Sequence, residues 1–509
     1  MKPPVSLLLL LAAALPLRAE RINQEGRILG PDPVVAGPTL FNTPAADAIV
    51  AALQVLPVDN PWNEDISARP LLVNSAAMIA QIRADLAANR RTLRAFDEMN
   101  FVLVPDSQPN VPIAFVDYPD ESDPSPYPIP ANLPVETWPR DTGTLTLQQW
   151  QQDVTGVGGD RHAIVVMPGT GFIWETWQTL LVGSAWQASN GAKFNLRSNA
   201  LRPAGWTSGD AAGLPMFPAL VRYDECQRGL VEHAMRLVVK RTRREYLYPA
   251  NHYAATTPAS QIDVPAMGQR VRLRADFALP ADWTVYERAV GLGLKKYGAI
   301  VADNGGFFSI SVTPDDRYPT GAFDHLATID VNSFEVVQTT GPDEGPRSPG
   351  APTAEAGPDF DLPYPGTANL HGSVTGAGVG VAWTKYAGPG TVTFGNAAQA
   401  ATTATFSMPG TYTLRLDGRD GVHAVARDAV VVKVILPVLV MKAGNDATVS
   451  FRSATGQTYR VERTLDLVLG PWTVIADNLA GTGAALEVVD AGALTSFPAA
   501  FYRVSFTPP

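Results

Sequence analysis

The chain has a single cysteine, Cys226, in 509 residues. No intramolecular disulfide can form, so each folded module has to hold together by burying apolar surface, which a hydrophobic content of 46% permits. Cys226 has neither a Gly-rich nor a His-bearing flank, and two readings stand for it, a reactive nucleophile or a buried thiol. Long apolar runs are missing too. Residues 5–15 make a run of 11, and residues 434–441 are shorter and broken by Pro437, whereas a spanning helix needs about 20. Basic charge is in deficit, with 39 Lys and Arg against 49 Asp and Glu. Nucleic-acid binding relies on neutralising phosphates, so no nucleic-acid partner is expected. There is no His-Glu-x-x-His or paired Cys/His spacing to signal zinc, no P-loop and no Gly-x-Ser-x-Gly elbow.

What is present begins with a secretory pattern in residues 1–19. Lys2 supplies the positive start, residues 5–15 the apolar stretch, and Leu17-Arg18-Ala19 the cleavage site before Glu20. No cysteine lies near Ala19 to take a lipid. Cleavage would leave 37 basic and 49 acidic side chains, a net charge of −12. The expected location is secreted, extracellular or at the cell surface, with no membrane span.

The expected fold class is mainly β: a large α+β N-terminal domain followed by two small β-sandwich, Ig-like modules. Residues 20–57 are rich in Pro, Ala and Gly and form a loosely packed lead-in with a short helix over 45–53. Residues 58–340 are the large domain. Asn74 and Ser75 cap a helix reaching residue 89, with Met78, Ile79, Ile82 and Leu86 at helical spacing. Strands follow at 101–104 and 113–116. Asp282 caps a second helix over 283–297, stopped at Gly298. Residues 299–302 and 307–312 flank Asp303-Asn-Gly-Gly306 as a hairpin. Residues 341–352 have the composition of a linker.

The strongest hairpin pattern joins His162-Ala-Ile-Val-Val-Met167 to Phe172-Ile-Trp-Glu-Thr-Trp177 through Pro168-Gly-Thr-Gly171. Pairing Met167 with Phe172 sets Ile164 opposite Glu175 and His162 opposite Trp177, so His162, Glu175 and Trp177 share one face. A Glu among Ile173 and Trp177 would be desolvated and its pKa raised, which suits a general acid. Residues 231–239 alternate, with His233 on the face of Met235, Leu237 and Val239, and Arg236 opposite. The candidate catalytic residues are therefore Glu175, His162 and His233. The candidate substrate-binding residues are Trp177, Trp206, Arg236 and Tyr248, aromatics and an Arg of the kind that line glycan grooves. The basic run from Arg236 to Arg244 reads either as a patch for an anionic glycan or as a solvated strand end. Asp117, Asp120 and Asp123 lie in an acidic, Pro-rich loop that is either a calcium site outside the EF-hand spacing or simply solvated. No other cofactor is expected.

Three resemblances add to this. Ala356-Gly-Pro-Asp359, Ala368-Asn-Leu-His-Gly372, Val381-Ala-Trp383, Gly388-Pro-Gly-Thr-Val-Thr-Phe394, Ala401-Thr-Thr-Ala-Thr-Phe406 and Gly410-Thr-Tyr-Thr-Leu-Arg-Leu416 come in the order of a PKD-type immunoglobulin-like domain. Residues 353–434 resemble that family, which implies a spacer or adhesion unit with Trp383 in its core. Residues 437–507 look like a small terminal β-sandwich, an attachment tag or a stabilising cap. Residues 58–340 resemble an uncharacterised family of secreted bacterial proteins through Asp59-Asn-Pro-Trp-Asn63, Asp160-Arg-His162, residues 197–208 and residues 296–304. This last resemblance implies a secreted context and transfers no activity. Two functions follow as expectations: binding of an extracellular glycan or cell-surface component, or cleavage of a polysaccharide by a hydrolase or lyase. A peptidoglycan or peptide target is a third.

Overall fold

The computed structural model describes residues 20–140, 142–152 and 159–507; the secretory pattern of residues 1–19 lies outside them. The chain is mainly β and forms two compact units, Arg21–Ala351 with Val422–Ala424, and Pro352–Gly421 with Val425–Pro509.

In the larger unit the strands are β1 (Thr39–Leu40), β2 (Leu93–Asp97), β3 (Val102–Leu103), β4 (Ile113–Phe115), β5 (Ala163–Met167), β6 (Phe172–Trp177) and β7 (Leu180–Val182). They continue with β8 (Ala185–Ala188), β9 (Asn190–Asn195), β10 (Met235–Val239), β11 (Arg270–Leu273), β12 (Ala299–Asn304), β13 (Phe308–Val312) and β14 (Phe334–Val336). The helices are α1 (Pro44–Ala51), α2 (Ser75–Asp85), α3 (Leu147–Gln152), α4 (Tyr223–Arg228) and α5 (Val285–Lys296).

A six-stranded mixed sheet runs in the order β14-β11-β12-β10-β13-β2, and a five-stranded sheet in the order β1-β3-β5-β6-β9. Strands β4, β8 and β7 form a third, smaller sheet. The central strands of the first sheet carry Met235, Leu237, Ile300, Val301, Phe308 and Ile310, all buried in one core. Apolar runs this continuous belong to strands covered on both faces. Burying each such side chain contributes about 1.5–3 kcal/mol. Helix α5 covers β11 and α4.

Residues 299–312 do not form the expected hairpin. Strand β10 lies between β12 and β13, parallel to the first and antiparallel to the second. Both flanking strands are largely buried, β13 along its whole length, and inserting β10 gives each a buried neighbour. The Gly305 amide closes the crossing on the Val239 carbonyl at 2.8 Å.

The helix ends also differ from the pattern. Helix α5 is capped by Thr284 rather than Asp282, because Thr284 and Glu287 exchange hydrogen bonds of 3.1 and 2.8 Å. Helix α2 stops four residues early, where Leu86 turns extended and buries its side chain. Residues 20–57 are not loosely packed: Phe41, Val50 and Leu56 enter the main core, and Arg27 pairs with Glu232 at 2.9 Å.

In the second unit, Phe360–Pro363, Ala426–Ile435, Gly410–Arg419 and Gly380–Ala387 form a four-stranded sheet. Thr367–His371, Ala401–Phe406 and Val392–Phe394 form a three-stranded one. Trp383 lies in the core with Leu370, Leu414, Leu416 and Val432, and its indole N–H donates to the Ala400 carbonyl at 2.9 Å. Two further three-stranded sheets over residues 438–507 share a separate core of Val449, Phe451, Tyr459, Val461 and Val488.

Candidate functional site

The β5–β6 hairpin has the register the sequence implies, with Met167 opposite Phe172 and Ile164 opposite Glu175. His162 and Glu175 both face the loop of residues 208–217. There the sequence Ser-Gly-Asp-Ala-Ala-Gly-Leu-Pro offers its backbone as the partner for buried charge. Glu175 is fully buried and accepts from the Met216 amide at 3.0 and 2.9 Å and from the Phe217 amide at 2.9 Å. Burial pushes its pKa up to about 7 against these donors. That value suits a general acid, but the carboxyl has no solvent-open side on which to meet a substrate.

His162 is buried between the Glu136 carboxylate, 3.0 Å from Nδ1, and the Gly209 carbonyl, 2.7 Å from Nε2. Both partners only accept, so both ring nitrogens carry protons. Burial disfavours that charge, yet the adjoining Glu136 outweighs it and lifts the pKa to about 9. The ring is thus an ion-pair partner with no free nitrogen to act as a base. Glu98, half-buried nearby, is raised to about 7 by burial and by Glu136.

Arg236 is not part of a solvated basic face. It is buried, meets Asp210 through two bonds of 3.0 Å and reaches Asp303 at 2.6 Å. Charge inside a sheet requires such compensation, and the alternating pattern carried no trace of the distant Asp210. Of the rest of the basic run, Arg241 pairs with Asp85 and Arg243 with Glu245, while Lys240 and Arg244 are exposed. His233 bonds the Glu225 carboxylate at 3.1 Å and the Ala234 carbonyl at 2.7 Å. It borders a small cavity with Arg222, Arg228 and Glu232, remote in the fold from the hairpin network. Trp177 lies beside Tyr118 with ring centroids 6.1 Å apart. Trp206 covers the Arg202 guanidinium at 5.5 Å. Cys226 is buried, and burial raises its thiol pKa.

Asp117, Asp120 and Asp123 do not assemble a calcium site. Asp117 accepts from the Ser189 hydroxyl at 2.5 Å, and Asp123 accepts from Arg202 at 3.0 Å and the Lys193 amide at 2.7 Å. These bonds turn one oxygen of Asp117 and one of Asp123 toward protein donors. Among the described residues no group of three His, Cys, Asp or Glu is placed to hold a metal.

The chain instead builds a narrow crevice of about 40 Å³ where two distant segments meet. Leu56, Asn60 and Trp62 form one wall, Phe194 and residues 198–202 another, and Tyr248 with Pro249 the rim. An amide ladder joins the walls: Asn199 donates to Asp59 at 2.9 Å, and Asn60 donates to Asn199 at 2.8 Å. The Asn60 side-chain oxygen also accepts from the Trp62 amide at 3.0 Å, which fixes its orientation. Gly213 has φ +71°, and a Cβ there would strike the Asn251 side chain, so only glycine lets the floor approach this closely. A separate, wider cleft of about 400 Å³ is lined by Arg21, Leu53, Gln54, Pro57, Leu196 and Arg197 from neighbouring stretches of the same two segments.

Of the seven candidate site residues, only Tyr248 lines the cleft beneath it. Asn60, Asn199 and Phe194 went unrecognised as site residues. The motifs Asp59-Asn-Pro-Trp-Asn63 and 197–208 held two of them, but their juxtaposition depends on contacts about 140 residues apart, such as Asn199 with Asp59.

No protein-family profile matches the chain, and no curated protein matches it. Among solved structures, it is similar to the PKD domain from KIAA 1837 protein, at 30% identity over 19% of this chain and 91% of that one, with a TM-score of 0.15. It is also similar to the secreted serine protease VesC from Vibrio cholerae, at 12% identity, covering 35% of this chain and 55% of that one (TM-score 0.14). The Yersinia pseudotuberculosis adhesin InvE is 15% identical, with 30% and 53% covered (TM-score 0.14). The chain spans little more than half the length of the last two. TM-scores this low transfer neither a whole-chain fold nor an activity.

No helix among the described residues is long and apolar enough to cross a membrane.

Proposed function

We propose that this is a secreted, modular protein whose larger unit binds extracellular carbohydrate in the cleft rimmed by Tyr248. The observation that carries the reading is the Asp59–Asn199–Asn60 ladder beside Phe194 and Tyr248. Sugars present paired hydroxyls at their edges and apolar C–H faces. Planar amides and carboxylates match the hydroxyls, and aromatic rings match the faces. The Tyr248 crevice itself admits only the edge of a sugar, and a separate cleft lined by residues 53–58 has about 400 Å³ of room. Residues 353–434, with Trp383 at their centre, serve as a PKD-type spacer that presents this unit away from a surface.

Binding is favoured over cleavage by the state of the titratable groups. Glu175, His162 and His233 are each buried and bonded to backbone or to a charged partner. A glycosidase instead needs two carboxyl groups flanking a bond in an open groove. The test is electrophoresis of the full chain through gels containing neutral or acidic polysaccharides. Retardation by at least one of them, without release of reducing ends, is expected. Free migration in every gel refutes the reading.

A further inference from the structure

A second, much smaller cavity lies on the far side of Tyr248 and Pro249. It is walled by Pro61, Glu64, Arg69, Arg270, Thr340 and Arg347, and its open volume is about 10 Å³, enough for one water or one monatomic ion. Three guanidinium groups face one carboxylate. Arg69 bonds Glu64, and Arg347 approaches the same carboxylate at 3.4 Å. Both also donate to the Thr340 hydroxyl oxygen, at 3.0 and 2.5 Å. The Glu64 carboxylate and the Thr340 hydroxyl are therefore already in use.

Arg270 is the group without a bonded carboxylate, and the nearby Glu64 offsets only part of the cost of its burial. It donates to the carbonyls of Pro61 at 2.6 Å, Tyr297 at 2.9 Å and Glu64 at 3.4 Å. No carboxylate bonds it among the described residues, and its buried Nε has no hydrogen-bond partner. Burial together with the neighbouring Arg69 and Arg347 lowers its pKa to about 10. Its neighbour on the same strand, Arg272, shows the usual arrangement, bonded to Glu335 at 2.7 Å. Apart from the already bonded Glu64 carboxylate, the acceptors in the wall are neutral, the hydroxyls of Tyr248 and Thr339 and backbone carbonyls. An anion needs only donors, and the wall supplies those.

We propose that the cavity between Arg69, Arg270 and Arg347 is a binding site for one small inorganic anion of chloride size. The occupant neutralises one of two excess buried charges and fixes the segment of residues 339–347 against Pro61. Because Tyr248 and Pro249 line both cavities, occupancy also sets the rim of the larger cleft. The site does not depend on what the cleft binds.

The test uses the full chain in gluconate buffer at constant ionic strength, with gluconate replaced stepwise by chloride or bromide. The expected result is a melting temperature that rises by roughly 2–4 °C and saturates, with no such rise in Arg270→Met. Equal melting curves in chloride and gluconate overturn the proposal. Because Arg270→Met can fail to fold, crystals of the unaltered protein soaked in bromide give a second reading. An anomalous peak in contact with Arg270 and Arg347 is expected, and a cavity without one overturns the site.

Discussion

Asp210 and Arg236 meet through two hydrogen bonds of 3.0 Å each, inside the protein, joining the loop of residues 208–217 to the central strand β10. Arg236 reaches on to Asp303 at the end of β12, so one guanidinium ties a loop and two strands together. Burial raises the Asp210 pKa to about 6 even though Arg236 opposes it. The cost of burying the Asp210 carboxylate therefore exceeds what Arg236 returns to it.

Removing the cation should expose that balance. Arg236→Met leaves Asp210 and Asp303 without their partner, and a loss of about 3–5 kcal/mol is expected. Urea unfolding measures it. A loss below about 1 kcal/mol would mean that water enters and solvates the acids.

Glu175 holds the turn at Met216 and Phe217 by accepting their amides. Glu175→Ala strands two buried N–H donors and leaves a void. A destabilisation of about 2–4 kcal/mol is expected from the unmade bonds and the cavity together. If Glu175 is a structural anchor, the same substitution leaves glycan retention in polysaccharide gels unchanged at a temperature where the variant is folded.

Stability should peak in mildly acidic solution. Glu98 and Glu175 keep their protons to about 7 and Asp210 to about 6 in the folded chain, while unfolded carboxyls lose theirs near 4. Between those limits the folded state binds more protons, so stability falls as pH rises. His162, raised to about 9, contributes fully below about 6.5 and loses that contribution as pH climbs through 9. On the acid side Glu225, held near 2 by Arg222 and His233 against burial, contributes above about 4.5 and fails as pH falls toward 2. Calorimetry from pH 3 to 9 should show a maximum near pH 5, and Glu175→Gln should flatten the decline toward neutral pH. A melting temperature that climbs from pH 5 to 8 contradicts this assignment.

The Cys226 thiol is sealed in the core beside α5, with its pKa raised. A thiol reagent should label the native chain only at the rate of unfolding and the urea-unfolded chain at once. Prompt labelling of the native chain would show that α4 opens locally.

These predictions rest on features of unequal legibility. Period-two runs such as residues 163–167 and 172–177 sufficed for the hairpin and its register, because the loop length and the apolar faces agree. The same reasoning failed at 299–312, since alternation says nothing about a third strand arriving between two others. Arg236 read as solvated because a charge on a strand usually is, and its partner Asp210 lies 26 residues away. The Asn60–Asn199 contact spans 139 residues. Local patterning reports which residues share a face, while a site of this kind depends on which segments the core brings together.

The measurement that bears most directly on carbohydrate binding is a panel of extracellular polysaccharides probed side by side with the unaltered chain, Tyr248→Ala and Asn199→Ala. Tyr248 is half-exposed on the rim and Asn199 is the middle of the ladder. Saturable binding to a glycan, weakened about tenfold or more by either substitution in folded protein, is the predicted result. Binding that both variants retain in full, or no binding to any member of the panel, would contradict it.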